Sequence, residues 1–195
     1  MNHVFFILAA YLLGAISFGI LMSKVFGLPD PRTVGSGNPG ATNVLRSGKK
    51  LAALLTLLGD SAKGWLAVWL ALHYDLSPEF VCAIGLAAFI GHLYPVYYGF
   101  KGGKGVATAL GILLAFSNWL GLAVLVTWIA VFAIWRYSSL AAIVAAALAP
   151  AYAFYLLQYQ GYALTTLVLS AFLIWRHKSN IQKLLAGTEA GFGKK

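Results

Sequence analysis

The residues best suited to chemistry in this chain are small, polar and basic, and they interrupt long apolar segments. The first group is the segment VGSGNPGATNVLRSGKK at residues 34–50. Asn38 followed by Pro39 predicts a helix that starts with Asn38 as its N-cap. Gly48 is typical of a residue just past a helix end, so a short helix that runs to Arg46 is expected.

This segment has the features of an anion site. Ser36, Gly37 and Asn38 are expected to present free backbone N–H groups and small polar side chains ahead of the short helix, and Thr42 lies within that helix. A helix N-terminus of this kind favours a negatively charged ligand. The alternative is an ordinary capped helix at the membrane interface that joins two spans.

The second group is KGGKGVAT at residues 101–108. Gly102 and Gly103 lie between Lys101 and Lys104, so the backbone can approach a ligand closely while the two lysines supply positive charge. The GxxxxGK[ST] spacing of a Walker A loop is missing. Phosphate binding is one interpretation; the other is a pair of basic residues at a cytoplasmic helix end, where they are expected anyway.

The third group is RHKSNIQKLLAGTE at residues 176–189. On a helix, Asn180 shares a face with Arg176 and with His177. His177 could act near neutral pH as a general base or donate to a phosphate. An apolar stripe follows, formed by Ile181, Leu184 and Leu185. The stripe equally fits a tail helix that only lies on the membrane surface.

Three ionisable residues lie inside apolar segments. Asp60 and Lys63 are three residues apart within 51–72, where ionised groups are costly and are usually paired or functional. We expect a structural ion pair rather than a catalytic one. His92 is expected to form hydrogen bonds that hold the site together.

Several catalytic signatures are absent from the sequence. No histidine has an aspartate five residues later, GxSxG does not occur, and no carboxylate cluster suits Mg²⁺. The single cysteine, Cys82, lies in an apolar run and is expected to be a buried small hydrophobe. No metal and no cofactor is therefore expected.

The composition indicates a membrane protein. Of the 195 residues, 61 % are hydrophobic and only 10 % charged, against about a quarter charged in soluble domains. We predict an all-α integral membrane protein whose residues 1–195 form a single domain, with a retained rather than cleaved first span. Seven spans approach the required length of about 20 residues: 4–23, 51–72, 79–99, 104–117, 119–135, 138–158 and 161–175.

The basic residues predict the orientation. Of the 14 Lys and Arg residues, 13 lie in the loops or tail of one side, and Lys63 lies within a span. The positive-inside rule then places the amino terminus outside and the carboxyl terminus and all three polar groups on the cytoplasmic side. The net charge of +9 is accordingly assigned to anionic lipid and anionic substrates, not to nucleic acid.

Together, and in this order, the three groups resemble the PlsY family, the bacterial membrane acyl-phosphate:glycerol-3-phosphate acyltransferases. The matching segments are SGNPGATNVLR at 36–46, GHLYPVYYGFKGGKGVAT at 91–108, YSSL at 137–140 and RHKSNIQKLLAGTE at 176–189. The resemblance implies transfer of a fatty acyl group from acyl phosphate to the sn-1 hydroxyl of glycerol 3-phosphate. The products would be lysophosphatidic acid and phosphate, made on the cytoplasmic face of the bacterial inner membrane with no obligatory protein partner.

The resemblance also implies residue roles. Ser36 and Arg46 match an essential serine and arginine, the glycines of the second group match a glycerol phosphate site, and Glu189 matches a residue tied to integrity. The expected catalytic residues are Ser36, Arg46, Lys104, His177 and Asn180. The expected substrate contacts are Gly37, Asn38, Thr42, Lys101, Gly102, Gly103, Gly105 and Ser139. The expected structural residues are Glu189, His92, Asp60 and Lys63.

The missing cysteine and serine nucleophile motifs favour direct attack by the substrate hydroxyl, without an acyl-enzyme. His177 or a substrate phosphate oxygen could then accept the proton. A function of another class remains open at this point: a small transporter or lipid-binding protein with the same basic pocket. A transport path should also carry polar residues in the outer halves of the spans, and here those halves are almost wholly apolar.

Overall fold

The computed structural model describes residues 3–192, and the regular secondary structure within that range is helical. Lys194 and Lys195, which were counted in the cytoplasmic tail, lie outside the described residues. The chain divides into two compact units, residues 1–115 and residues 116–195.

The first unit is built around one long helix. Its helices are α1 His3–Gly14, α2 Phe18–Val25, α3 Ala41–Arg46, α4 Lys50–His73, α5 Pro78–Leu93 and α6 Val106–Phe116, the last ending at the unit boundary. Helix α4 packs against α1, α2, α3 and α5, and α1 also packs against α5. Small residues permit this close packing: a Cβ on Gly14 of α1 would lie 2.0 Å from the carbonyl oxygen of Ala88 on α5.

The second unit contains three long antiparallel helices and one short helix. They are α7 Asn118–Trp135, α8 Ser138–Leu156, α9 Gln160–Arg176 and α10 Lys178–Leu185. Helix α8 packs against both α7 and α9, and the short α10 contacts α8 and α9. The connections from α7 to α8 and from α8 to α9 are short, so each of these helices reverses direction against the one before it.

Each predicted span coincides with a helix or a helix pair, but the helix lengths differ from the predicted span lengths. Among residues 3–192, four helical segments are long and apolar enough to cross a membrane: Lys50–His73, Pro78–Tyr98 (α5 and the 3₁₀ helix Val96–Tyr98 after it), Asn118–Trp135 and Ser138–Leu156. The bent pair Val4–Gly14 and Phe18–Val25 is a fifth when it is counted as one span. The fourth predicted span is the 11-residue α6, about 16 Å long against a hydrocarbon core of about 30 Å. The seventh is the 17-residue α9. The number of crossings and the orientation stay predictions.

The first predicted span is broken, which the sequence did not indicate. Helix α1 ends at Gly14, α2 begins at Phe18, and the two are bent by 43°. A break inside a membrane exposes backbone groups that need new partners. Two buried side chains of α4 supply them. Lys63 Nζ donates to the Ile16 carbonyl at 2.5 Å, and the Phe18 N–H donates to Asp60 Oδ1 at 3.4 Å.

Candidate functional site

The short helix of the first polar group begins two residues later than predicted. Helix α3 spans Ala41–Arg46 with Gly40, in an extended conformation, as its N-cap. The prediction of Asn38 as N-cap and Pro39 as the first helical residue is therefore wrong. The Pro39 carbonyl packs against Gly19 of α2, where a Cβ would lie 2.0 Å from that oxygen, and this contact keeps Pro39 outside the helix. Gly48 does lie just past the helix end, as predicted, with a positive φ of 85°.

Two of the three N–H groups expected to be free in this loop have partners. The Ser36 N–H donates to Asn43 Oδ1 at 3.0 Å, and the Gly37 N–H donates to the Val34 carbonyl at 3.1 Å. That part of the anion-site prediction is wrong, because the loop uses these groups to hold its own shape. The side chains of Ser36 and Arg46 are exposed, and those of Asn38 and Thr42 are half-buried.

Asn43 is the residue that organises this loop, and its sequence context did not indicate a site residue. Its side chain is buried and donates from Nδ2 to the carbonyls of Pro31, at 2.8 Å, and Val34, at 3.1 Å. With the bond accepted from Ser36, one amide holds three points of the loop. The sequence alone does not indicate whether an asparagine is buried within a helix or caps one.

We expect Asn43→Asp to destabilise the protein strongly. The carboxylate keeps an acceptor for the Ser36 N–H, but it replaces the Nδ2 donor with an oxygen facing two carbonyl oxygens. Leaving the two buried carbonyl acceptors unpaired costs about 2 to 6 kcal/mol in total. Thermal unfolding in detergent measures this, with Asn118→Asp as control, because Asn118 is exposed at the start of α7. Equal unfolding temperatures for the two variants would contradict the role of Asn43.

Arg32 connects the first loop to the segment before the glycine-rich loop. Its guanidinium contacts both carboxylate oxygens of Asp30, with the shortest distance 2.6 Å, and Nη1 lies 3.4 Å from the Tyr98 carbonyl. The Arg32 hydrogen bond holds the pKa of Asp30 below its ordinary value, although burial opposes the shift. Arg32, counted in the sequence as a loop cation, thus pairs within the loop.

The lowered pKa of Asp30 sets the sign of a pH effect. A depressed carboxyl pKa stabilises the fold above the unfolded value of about 3.9 and loses that contribution as pH falls through the folded value. Both side chains are about a third exposed, so the effect is about 0.2 to 1 kcal/mol. We expect Asp30→Asn to unfold at a slightly lower temperature than wild type at neutral pH, with the difference vanishing in acid. Unfolding curves against pH that show the difference growing in acid would contradict this.

The glycine-rich loop folds back against the end of α5. The Gly103 N–H donates to the His92 carbonyl at 3.2 Å, and Gly105 has a positive φ of 89°. Gly103 and Gly105 are buried, Lys104 is half-buried and Lys101 is exposed. The tight backbone packing explains why glycine occupies these positions.

Asp60, Lys63 and His92 form one buried cluster beside this loop. Lys63 Nζ lies 2.8 Å from Asp60 Oδ1 and 2.9 Å from His92 Nδ1. The Asp60 and Lys63 side chains are 2 % and 1 % exposed. The two residues do form an ion pair, and its additional partners are His92 and backbone groups of the broken first span.

In the second unit, the polar residues meet around Glu189. Ser139 Oγ donates to Glu189 Oε1 at 2.6 Å, and Asn180 Nδ2 donates to the same oxygen at 2.7 Å. Ser139 is the second residue of α8, whereas Asn180 lies on α10. Glu189 therefore ties the carboxyl-terminal segment to two helices, and it orients the Asn180 amide.

His177 lies at the junction between two helices rather than on one continuous helix. Helix α9 ends at Arg176 and α10 begins at Lys178. The His177 side chain is 3 % exposed, and its Nδ1 lies 2.8 Å from the Leu173 carbonyl oxygen. A carbonyl can only accept, so Nδ1 carries a proton, and in the neutral ring Nε2 holds the lone pair.

The structure thus brings predicted residues together in two groups. One contains Asp60, Lys63, His92 and Gly103; the other contains Ser139, Asn180 and Glu189. The joining of Ser36, Arg46, Lys104 and His177 in one site stays a prediction. No group of three His, Cys, Asp or Glu side chains within residues 3–192 is arranged to hold a metal ion.

Comparison with known proteins gives a consistent result. A family model described as glycerol-3-phosphate acyltransferase matches residues 4–187. The chain is 70 % identical over 195 residues to the glycerol-3-phosphate acyltransferase of Methylobacillus flagellatus, covering 100 % of both chains. It is 60 % identical over 199 residues to the enzyme of that description from Nitrosospira multiformis, covering 100 % of this chain and 98 % of the relative.

Comparison with solved structures leads to the same family. The chain is similar to crystal structures of PlsY (YgiH), an integral membrane glycerol 3-phosphate acyltransferase, in two forms. The glycerol 3-phosphate form has a TM-score of 0.94 at 40 % identity, and the lysophosphatidic acid form 0.93 at 39 %. Each alignment covers 99 % of this chain and 96 % of the other. The chain therefore belongs to the PlsY family of glycerol-3-phosphate acyltransferases, which are all-helical integral membrane proteins.

Proposed function

We propose that this protein transfers a fatty acyl group from acyl phosphate to the sn-1 hydroxyl of glycerol 3-phosphate. The products are lysophosphatidic acid and inorganic phosphate, in the first acylation step of bacterial phospholipid synthesis. The observation that carries the proposal is the pair of similar PlsY structures, one in a glycerol 3-phosphate form and one in a lysophosphatidic acid form. These two molecules differ by one acyl group. The choice of acyl phosphate as donor rests on the resemblance of the three sequence motifs.

The proposed site lies at the cytoplasmic face of the bacterial inner membrane, within one functional domain formed by residues 1–195. The charge distribution supports this location, because the loops that carry the three motifs are also those rich in Lys and Arg. At that boundary the acyl chain can stay among apolar surroundings. The phosphates then meet Arg46, Lys101 and Lys104. These cations offset the repulsion between two anionic substrates and stabilise charge on the departing phosphate.

The proposed step is a direct transfer. The glycerol 3-phosphate hydroxyl oxygen attacks the acyl carbonyl carbon, a carbon–oxygen ester bond forms, and the bond to the phosphate oxygen breaks. The hydroxyl proton leaves to a base, and inorganic phosphate carries away the electron pair of the broken bond. Acyl phosphate is a mixed anhydride with a good leaving group, so the protein needs mainly to align and neutralise the reactants.

The orientation of His177 supports it as the proton acceptor. Its Nδ1–H is bonded to the Leu173 carbonyl, and that bond leaves Nε2 as the basic nitrogen of the neutral ring. A substrate phosphate oxygen is the alternative base. A His177→Ala enzyme that keeps near-normal kcat would eliminate the histidine as the obligatory base.

A donor comparison tests the proposed function. Purified protein is supplied with glycerol 3-phosphate and either palmitoyl phosphate or palmitoyl-CoA, and lysophosphatidic acid and phosphate are measured. We expect product only with the acyl phosphate, at one phosphate released for each lysophosphatidic acid formed. Turnover with the thioester instead would overturn the assignment of the donor, and no acyl transfer with either donor would overturn the function.

A further inference from the structure

The ammonium group of Lys63 has three N–H bonds and three acceptors around it. They are Asp60 Oδ1 at 2.8 Å, the Ile16 carbonyl at 2.5 Å and His92 Nδ1 at 2.9 Å. An ammonium can only donate, so each bond has one partner. Lys63 therefore fixes three structures relative to one another: its own helix α4, the break in the first span and the end of α5.

The contact with Lys63 also sets the tautomer of His92. Because Nδ1 receives a proton donated by Lys63, that nitrogen holds the lone pair and the ring proton is on Nε2. Asp60 Oδ1 is 3.6 Å from His92 Nδ1, too far for a competing hydrogen bond from that nitrogen. The ring is 6 % exposed, and Lys63 fixes the orientation of its Nδ1 edge.

The other edge of the His92 ring faces the glycine-rich loop. A Cβ added to Gly103 would lie 2.2 Å from Nε2, 2.9 Å from Cε1 and 3.2 Å from Cδ2 of His92. A Cβ added to Gly102 would instead lie 2.1 Å from the His92 carbonyl oxygen, 2.5 Å from Pro95 Cδ and 2.7 Å from the Leu93 carbonyl oxygen. The loop thus lies against the His92 ring at Gly103 and against the carboxyl end of α5 at Gly102.

We propose that His92, oriented by the Asp60–Lys63 pair, is a positioning residue that sets the glycine-rich loop at the distance needed to bind glycerol 3-phosphate. The inference rests on the proposed function only in taking that loop as part of the glycerol 3-phosphate site. Helix α4 then sets the position of the glycine-rich loop through the imidazole ring of His92. The broken first span, which shares Lys63, is held by the same cluster.

His92→Asn tests the positioning role. The asparagine Oδ1 can occupy the place of Nδ1 and keep the Lys63 bond, but the edge facing Gly103 is lost. We expect KM for glycerol 3-phosphate to rise about tenfold, since small displacements of binding groups have effects of that size or more, with kcat within about threefold of wild type. A merely structural loss would reduce the active fraction and apparent kcat and leave KM unchanged, and that result would overturn the proposal.

A double-mutant cycle with the two glycines provides the sharper test. Gly103→Ala should raise KM by about tenfold or more in the wild-type background but by less than about threefold with His92→Asn, where the obstructing ring edge is gone. Gly102→Ala is the matched control, because its obstacles are two backbone carbonyls and the Pro95 ring rather than the His92 side chain, and its effect should be equal in both backgrounds. Equal effects of Gly103→Ala in both backgrounds would overturn the proposal.

Two readouts are independent of turnover. His92→Asn should also reduce the loss of unfolding temperature that Gly103→Ala causes. It should not reduce the loss that Gly102→Ala causes. Nitrogen-15 NMR of histidine-labelled wild-type enzyme should show His92 as the Nε2–H tautomer, assigned by its loss in His92→Asn. An Nδ1–H tautomer would overturn the role of Lys63. If His92→Asn does reduce the loss of unfolding temperature in Gly103→Ala but the wild-type enzyme is inactive, the proposed function is overturned instead.

Discussion

We expect Lys63→Met to leave little folded protein. The substitution removes the cation from a buried ion pair and strips donors from the Ile16 carbonyl and from His92 Nδ1. Asp60, whose side chain is 2 % exposed, would remain as an uncompensated buried carboxylate. Breaking a buried pair in this way costs about 3 to 5 kcal/mol, a large part of the stability of an ordinary domain. The yield of monodisperse protein and its unfolding temperature in detergent measure the loss.

The double variant Asp60→Asn/Lys63→Met separates loss of the pair from loss of one charge. It removes both charges, so we expect it to be more stable than Lys63→Met alone while remaining below wild type, because Ile16 and His92 still lack their donor. Lys24→Met on α2 is the matched control, since Lys24 is exposed. A double variant no more stable than the single one would contradict the pairing.

Arg46→Ala is expected to reduce lysophosphatidic acid formation by at least about 100-fold, the size of effect seen when a group that stabilises transition-state charge is removed. Arg46 is the last residue of α3 and its side chain is exposed. The neighbouring Val44, 2 % exposed, packs with Ala52 and Ala53, and Asn43 holds the loop. The helix therefore persists without Arg46, and the unfolding temperature should change little.

Two companion variants show whether Arg46 acts as a specific ligand. Arg46→Lys keeps the charge but loses the planar donor pair that matches a phosphate, so its activity should be intermediate. Lys50→Ala removes an exposed positive charge at the start of α4 and should stay within about twofold of wild type, because separated surface charges are screened. A similar loss from Arg46→Ala and Lys50→Ala would mean that the general positive potential, not this residue, matters.

The sequence predicted the fold class well because its evidence is local. Long apolar runs bounded by polar residues specify helices, and each predicted span coincides with one or with a helix pair. The break after Gly14 was not foreseen, since its cause is not local. It is held by Lys63, 47 residues from Ile16. A side chain that distant leaves no mark in the composition of the broken segment.

The polar residues show the same division between local and distant effects. The spacing of Asp60 and Lys63 was enough to predict an ion pair, since residues three apart are neighbours on a helix. Their contact with His92 depends on how α4 packs against α5. The helix start at Gly40 instead of Asn38 likewise follows from the packing of Pro39 on Gly19. Sequence signals for caps are overridden when a neighbouring helix requires another backbone path.

In the proposed mechanism, the acyl group passes directly from one phosphate-bearing substrate to the other. Exchange of labelled inorganic phosphate into acyl phosphate tests it most directly, in wild-type protein without glycerol 3-phosphate. Direct transfer predicts no exchange and no acylated Ser36, Ser138 or Ser139 in the intact-protein mass spectrum, together with full turnover once glycerol 3-phosphate is added. Exchange in its absence, at a rate comparable with turnover, would mean that the acyl group first passes to the protein and would contradict the account.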